Sequence, residues 1–234
     1  MNRQNMGAVI ESSSRKVAGL INSRVLALVL VCTVSFMNVL DITVVSVALG
    51  DIGKSLGASQ SELQWVVNAY TLPLGALLMS AATLSRSLGR LRLFRWGLVL
   101  FTVGSAVCAL APSMLVLNAF RALQAVGGAI FLGVGIPMIS DRYAAGRERA
   151  RATGIYGLIS GLAIAVGPLA GGGLVLVAGW RSIFWINVPV GVASWLASWY
   201  VKDRSTDRNN SGVDWLGTLL AILAVGAVTV VLLE

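Results

Sequence analysis

The sequence contains no histidine, and this absence excludes a large group of functions. Without an imidazole there is no Ser-His or Cys-His catalytic pair, no histidine general base and no histidine-ligated metal. Cysteine is almost as scarce, since only Cys32 and Cys108 occur, each inside an apolar run. We interpret both as packing residues rather than as a disulfide or a metal pair. The sequence therefore predicts a protein that is not an enzyme and that needs no cofactor.

Charged residues are also scarce, at 12% of the 234-residue chain, whereas 56% of the residues are hydrophobic. An ordinary soluble domain is about 25% charged, and a soluble fold of this length has too little interior to hide so much apolar surface. The composition therefore predicts a protein of the lipid bilayer. The net charge of +8 does not indicate nucleic-acid binding, because the basic residues lie in short loops and form no solvated basic face.

Seven apolar runs are long enough to cross a membrane as helices, which takes about 20 residues each. Their hydrophobicity is continuous rather than alternating, which is typical of helices and not of barrel strands. We therefore predict an all-α polytopic membrane protein. The predicted spans are 25–49, 65–84, 96–112, 115–139, 154–178, 183–201 and 215–233.

These spans divide the chain into a tail at 1–24, a six-span unit at 25–201, a linker at 202–214 and the start of a further helix at 215–234. The last run reaches the end of the sequence without an exit loop. We interpret this odd number of spans as the sign of a fragment or of a natural truncation.

Lysine and arginine are concentrated on one side of the predicted spans. Of the 18 basic residues, only Lys54 and Arg181 lie in loops on the opposite side, and Arg121 lies inside a span. Because basic loops stay in the cytoplasm, we predict a multi-pass protein of the inner (plasma) membrane with a cytoplasmic N-terminus. The stretch SRSLGRLRLFR, with four arginines and no acid, is the clearest cytoplasmic loop, and its charge lies near anionic headgroups.

Two charged residues inside the predicted spans are candidates for function, because an intramembrane charge is costly. Asp41 follows Ser35 and Asn38 on one helix face, which forms a polar stripe. A carboxylate isolated in lipid is neutral and a nearby cation restores its charge, so Asp41 is a candidate proton carrier. Arg121 cannot release its proton but can ionise a carboxylate. The alternatives are that Asp41 lies near headgroups at a helix end, that Arg121 extends to the surface, and that Asp41 belongs to a purely structural ion pair.

The fifth predicted span is rich in glycine around Pro168. Small residues four positions apart, at Gly157/Gly161 and Gly167/Gly171, permit close helix packing, and the proline removes a helix hydrogen bond and kinks the axis. We leave two interpretations open: a bend in a helix that moves, or a tightly packed interface.

Polar side chains elsewhere in the predicted spans are candidates for lining a cavity. Interfacial anchoring and packing are the competing explanation, since aromatic and amide residues also cluster at membrane surfaces. These candidates are Asn38, Asn68, Tyr70, Gln124 and Asn187.

Five motifs occur in order along the chain, and together they resemble the N-terminal half of a major facilitator superfamily transporter. The resemblance is to the fourteen-span drug:proton antiporter type and extends from about Arg24 to the end of the sequence. The motifs are LDITVVSVAL, RALQAVGGA, GPLAGG, WRSIFWINVPVG and VDWLGTLL.

The resemblance implies alternating access, in which two six-helix halves rock about a midplane cavity. It implies that Asp41 is the proton-linked acid and that Arg121 is its charge partner. The expected partners are the lipid bilayer, protons, a C-terminal half and a small lipophilic, often cationic, substrate. The residues implied to bend the fifth span and seal the cytoplasmic side are Gly167, Pro168, Gly171 and Gly172.

The loop between the second and third spans departs from the family pattern, which reads Gly-x-Leu-x-Asp-Arg-x-Gly-Arg. Gly89 and Arg90 match this pattern, but Arg86 replaces the acid and Ser87 replaces the first arginine. In the family the acid helps to latch the two halves, so Arg86 would repel where the acid attracts. This departure and the truncated seventh span together motivate the alternative to an efflux transporter, a transport-inactive membrane protein that binds a ligand or partner helices.

Overall fold

The described chain is a bundle of helices joined by short turns. The computed structural model describes the backbone of residues 3–203 and the side chains of residues 23–203. The predicted span at 215–233 and most of the predicted linker lie outside these residues. The helices are α1 (Arg3–Leu56), α2 (Gln60–Leu88), α3 (Arg90–Leu110), α4 (Met114–Ser140), α5 (Arg147–Ala178), α6 (Ser182–Trp185) and α7 (Asn187–Ser198).

Five of these helices are long and apolar enough to cross a membrane. In α1 the qualifying part is Ser23–Leu56. The sixth predicted span is shorter than the others, because α6 and α7 together cover only Ser182–Ser198 and are interrupted at Ile186. The prediction of an all-helical, polytopic architecture is therefore confirmed, with a broken sixth element.

The helices begin before the predicted apolar spans because polar residues at their N-terminal ends are part of the helical backbone. Helix α2 shows why its start precedes the predicted residue 65. Ser59 is its N-cap, and the Glu62 backbone N–H donates to Ser59 Oγ at 3.3 Å. In return, the Ser59 backbone N–H donates to Glu62 Oε2 at 2.9 Å. This capping box satisfies donors that the helix itself leaves unpaired.

Gly89 is the single residue between α2 and α3, and it reverses the chain direction there. Its backbone has φ 90° and ψ 127° and serves as the C-cap of α2 and the N-cap of α3. A side chain at positive φ clashes with its own backbone, so glycine is required at this turn.

We expect Gly89→Ala to destabilise the protein by about 1–3 kcal/mol, the usual cost of a strained backbone residue. Gly75→Ala is the matched control, because Gly75 lies inside α2 with open space around its Cα. Reversible unfolding in mixed micelles measures both. Equal stabilities of the two variants would contradict a conformational role for Gly89.

Helix α4 is central, since it packs extensively against α3 and α2 and also contacts α1 and α5. Buried apolar side chains form two core clusters. On α1 the first cluster ends at Met37 and the second begins at Leu40. The first cluster lies toward the arginine-rich end of the bundle, which we define by Arg90 and Arg95 at the start of α3 and by Arg142 after α4.

The helices differ strongly in how much of their apolar surface the described chain covers. Only 17% of the most apolar stretch of α2 and of α5 is buried, compared with 56% for α1 and 61% for α4. Helices α2 and α5 therefore present long apolar faces outward.

Candidate functional site

Asp41 on α1 and Arg121 on α4 form a buried ion pair, in which Arg121 Nη1 donates to Asp41 Oδ2. Asp41 is 2% exposed and Arg121 is 1% exposed. Neither charge lies at a solvent-exposed helix end, so the two surface alternatives are wrong, whereas a purely structural ion pair is consistent with this burial. Removing one partner of such a pair leaves an uncompensated buried charge.

Arg121 has further acceptors and two aromatic neighbours around its guanidinium. Its Nη1 donates to Gln124 Oε1 at 3.0 Å, and its Nε donates to the Val66 carbonyl at 3.3 Å. The guanidinium carbon lies 4.1 Å from the centre of the Tyr70 ring and 5.7 Å from that of Phe184. These contacts hold the cation in one position, since aromatic faces attract it electrostatically.

Asp41 accepts hydrogen bonds from two amides in addition to the arginine. Gln124 Nε2 donates to Asp41 Oδ1 at 3.1 Å, and Asn187 Nδ2 donates to the same oxygen at 2.9 Å. Asn187 Nδ2 also donates to Ser105 Oγ at 3.1 Å, and Ser105 Oγ donates to the Phe184 carbonyl at 2.9 Å. One carboxylate therefore connects α1 with α4, α7 and, through Asn187, α3.

The sequence identified part of this network. Asn187 was a candidate for lining a cavity, but its contact with Asp41 was not predicted. Ser105 was missed altogether, and its only signal is that it is one of two hydroxyl residues, with Thr102, in an apolar run.

The polar stripe on α1 contacts three different helices. Ser35 Oγ hydrogen-bonds Ser160 Oγ on α5 at 2.9 Å. Asn38 Nδ2 donates to the Tyr70 hydroxyl on α2 at 2.7 Å, and Asp41 binds Arg121 on α4. The predicted stripe is thus real, and each member links α1 to a different neighbour.

Of the predicted cavity-lining residues, Asn38, Tyr70 and Gln124 are fully buried in this network. Asn68 lies apart from them. It lines a separate cavity of about 550 Å³ near the N-terminal end of α2, together with Gln60 and Gln64.

The four residues of the predicted bend in α5 lie on two different faces of the helix. A Cβ at Gly171 would lie 3.0 Å from Val44 Cγ1 on α1, and a Cβ at Gly167 would overlap the side chain of Thr43. Pro168 is exposed, and a Cβ at Gly172 would meet no atom within 4 Å. Helix α5 continues through Pro168, so Gly167 and Gly171 set the close approach of α5 to α1.

The predicted gating loop is held by Arg90 rather than by Arg86. Arg90 forms an ion pair with Asp141 and also donates to the Pro137 carbonyl at 3.1 Å. Arg86 is exposed in the last turn of α2, where a cation is favourable for the helix dipole. Within the part of the chain that the structure describes, Arg86 makes no hydrogen bond or ion pair.

A comparison with known protein families identifies the family of this chain. A sequence profile of the Major Facilitator Superfamily matches residues 31–233. The chain belongs to this superfamily. The assignment from the motif series is therefore confirmed, and with it a transporter family rather than an enzyme class.

Relatives of this superfamily member include drug resistance proteins. The chain is 40% identical over 200 residues to the multidrug resistance protein Stp of Mycobacterium tuberculosis, which covers 85% of this chain and 37% of Stp. It is 33% identical over 232 residues to the methylenomycin A resistance protein of Bacillus subtilis, covering 99% of this chain and 48% of that protein. The chain thus spans less than half the length of either relative.

Solved structures of the superfamily share the fold at low sequence identity. The inward-facing, unoccupied form of a bacterial homolog of the human lysosomal transporter Spinster matches with a TM-score of 0.68 and 21% identity, over 83% of this chain and 46% of that one. A peptide transporter, POT, in complex with sulfate matches with a TM-score of 0.65 and 17% identity, over 88% and 45%. The helical arrangement of this superfamily is therefore present in the described half-length bundle.

Proposed function

We propose that this chain is part of a proton-coupled efflux transporter that exports small lipophilic, often cationic, compounds across the plasma membrane. The observation that supports this proposal best is the buried pair of Asp41 and Arg121, placed between the two apolar clusters. The names of the relatives, which refer to multidrug and methylenomycin A resistance, support a drug or natural product as the substrate class.

The proposed coupling follows from what a proton does to this pair. Protonation of Asp41 removes the negative charge that compensates Arg121, while Arg121 keeps its charge at any physiological pH. The guanidinium then keeps only its neutral acceptors, which are Gln124 Oε1 and the Val66 carbonyl. Because the carboxylate also accepts from Asn187, protonation weakens links from α1 to both α4 and α7. A proton thus favours a different arrangement of α1.

Alternating access requires a second helical unit, and the outward apolar faces of α2 and α5 support one. Because little of these two faces is buried, further helices of the complete gene product can pack and move against them. The basic arginine-rich end faces the cytoplasm in this proposal, according to the distribution of lysine and arginine. The Arg90–Asp141 pair then lies where the cytoplasmic side closes. Pro168 instead lies in the other half of α5, beside the second apolar cluster, so the expectation that this motif seals the cytoplasmic side is not part of the proposal.

The test measures proton movement caused by a lipophilic cation, ethidium, in proteoliposomes that contain the complete gene product. We expect ethidium to drive proton flux in the unmodified protein and to drive none after Asp41→Asn, because an amide cannot exchange a proton. Asp51→Asn is the matched control, since Asp51 is an exposed acid on the same helix. Ethidium binding, followed by its fluorescence, verifies that each variant is folded.

Two outcomes would contradict the proposal in different ways. Undiminished proton flux in an ethidium-binding Asp41→Asn protein would remove Asp41 as the carrier. Absence of any flux in the unmodified protein, across a panel of cationic and neutral drugs, would favour the transport-inactive alternative that Arg86 suggests.

A further inference from the structure

A cavity at the arginine-rich end, outside the Asp41 site, lies between the start of α3 and the end of α7. Its volume is about 530 Å³, and its lining includes Arg92, Arg95, Trp96, Trp199 and Asp203. Arg92 and Arg95 belong to the stretch SRSLGRLRLFR, but the proposed transport function gives them no role. The cavity combines two cations, one acid and several indole rings.

Arg95 forms a fixed wall of this cavity. Its Nε donates to Ser198 Oγ at 3.0 Å, its Nη2 donates to the Ser198 carbonyl at 2.9 Å, and its guanidinium carbon lies 4.0 Å from the centre of the Trp199 ring. Trp199 in turn contacts Trp195 edge to face, with the ring centres 5.7 Å apart. The wall is therefore pre-organised before any ligand arrives.

Arg92 differs from Arg95 in having its charge available. It is exposed at the cavity rim, and among the described residues it makes no hydrogen bond or ion pair. The lining holds two arginines and one acid, Asp203, so it carries one net positive charge. An available guanidinium at such a rim matches the fork of donors that a phosphate group accepts.

A second groove continues from this cavity into the apolar part of the bundle. It has a volume of about 310 Å³ and shares Val99 and Trp195 with the first cavity as lining residues. The rest of its lining is apolar except for Thr102, and it reaches Val103 and Val192. The cavity and the apolar groove thus adjoin each other along α3 and α7, and we call the two together the channel.

The length of this channel along α3 matches the thickness of one leaflet of a bilayer. From Arg92 to Val103 the helix rises by roughly 16 Å, and half of a hydrocarbon core is about 15 Å thick. Trp96 and Trp199 lie beside the arginines and are 61% and 59% exposed. Tryptophan is typical of the headgroup level of a membrane, so this end of the channel fits that level.

We infer that the channel between α3 and α7 binds one anionic phospholipid, with its phosphate at Arg92 and one acyl chain along Val99, Val103 and Val192. The net positive lining selects an anionic headgroup over a zwitterionic one, and the adjoining groove selects a lipid over free phosphate. The inference does not depend on proton coupling at Asp41.

The test uses the complete gene product in phosphatidylcholine vesicles that contain a small fraction of phosphatidylglycerol with a photoreactive acyl chain. We expect crosslinks on α3 near Val99–Val103 and on α7 near Gly191–Trp195, located by peptide mass spectrometry. Unlabelled phosphatidylglycerol should compete, whereas excess phosphatidylcholine and inorganic phosphate should not.

Two variants separate the headgroup contact from general surface charge. Arg92→Gln is expected to reduce crosslinking about five-fold, the usual effect of one basic residue on binding to anionic lipid. Arg147→Gln is the matched control, because Arg147 is an exposed arginine at the same end of the bundle, on α5. Val192→Trp, which fills the groove and leaves both arginines, should also reduce crosslinking.

Equal crosslinking in Arg92→Gln and Arg147→Gln would overturn the inference, as would equal competition by phosphatidylcholine. Displacement of the label by inorganic phosphate would show an anion site without lipid selectivity. Absence of crosslinks on α3 and α7 would show that another part of the protein covers the channel, which also contradicts the inference.

Discussion

Asp41→Asn is expected to lower the free energy of unfolding by about 3–5 kcal/mol, the usual cost of breaking a buried ion pair. The arginine keeps its charge in this variant, and its remaining partners, Gln124 and the Val66 carbonyl, are neutral. Arg121→Gln should be less destabilising, because the stranded Asp41 carboxylate keeps two amide donors, Gln124 Nε2 and Asn187 Nδ2. The two halves of one ion pair are therefore predicted to differ in cost.

The double variant Asp41→Asn with Arg121→Gln tests this explanation. It removes both charges and keeps amides that can hydrogen-bond to each other, so we expect it to recover most of the stability lost in Asp41→Asn. Reversible unfolding in mixed micelles at neutral pH gives the three free energies. If the single-variant losses simply add in the double variant, the two charges do not compensate each other.

The same double variant is valuable for the functional question. It is expected to fold and to be unable to exchange a proton at position 41. Loss of proton flux in a stable double variant would then report on chemistry rather than on misfolding.

Gly167→Ala is expected to destabilise the protein by about 1–3 kcal/mol through overpacking between α5 and α1. The new Cβ would lie 2.7 Å from Thr43 Cβ, which is fixed to the backbone and cannot rotate away. Gly172→Ala is the matched control within the same motif, because that position is open. We expect it to leave the free energy of unfolding unchanged or slightly increased, since alanine favours a helix.

A second substitution on α1 checks that the effect is steric. Thr43→Gly removes the atoms that the alanine meets, so Gly167→Ala should be less harmful in that background than in the unmodified protein. Unfolding free energies of the two single variants and the double variant give the coupling. No coupling, or equal effects of Gly167→Ala and Gly172→Ala, would contradict the close approach of α5 to α1.

The sequence was sufficient to predict the membrane class and the approximate position of each long helix. Continuous apolar runs specify burial in lipid regardless of which helices touch, so this part of the fold depends only on local information. The predicted ends were less accurate. At α2 the capping pair Ser59 and Glu62 begins the helix before the first apolar residue, and an apolar pattern does not record such a cap.

The candidate site was predictable in its charges and not in its geometry. Spacing of three residues along α1 places Ser35, Asn38 and Asp41 on one face, but it carries no information about the helix that each one faces. The pairing of Asp41 with Arg121 came from the family resemblance. The roles of Ser105 and Asn187 depend on how α3 and α7 cross α1, and that crossing is a tertiary property.

The polar residues between the two apolar clusters also fix how the helices are aligned along their axes. If α4 slid by one turn past α1, a shift of about 5.4 Å, Arg121 would leave the carboxylate and lie among apolar side chains of one cluster or the other. Leucine, valine and alanine contacts alone would tolerate such a slip, since one apolar surface resembles the next. The ion pair therefore fixes the register of α4 against α1 along their axes. Apolar packing alone would not fix it, because one apolar contact between helices in a bilayer is nearly equivalent to the next.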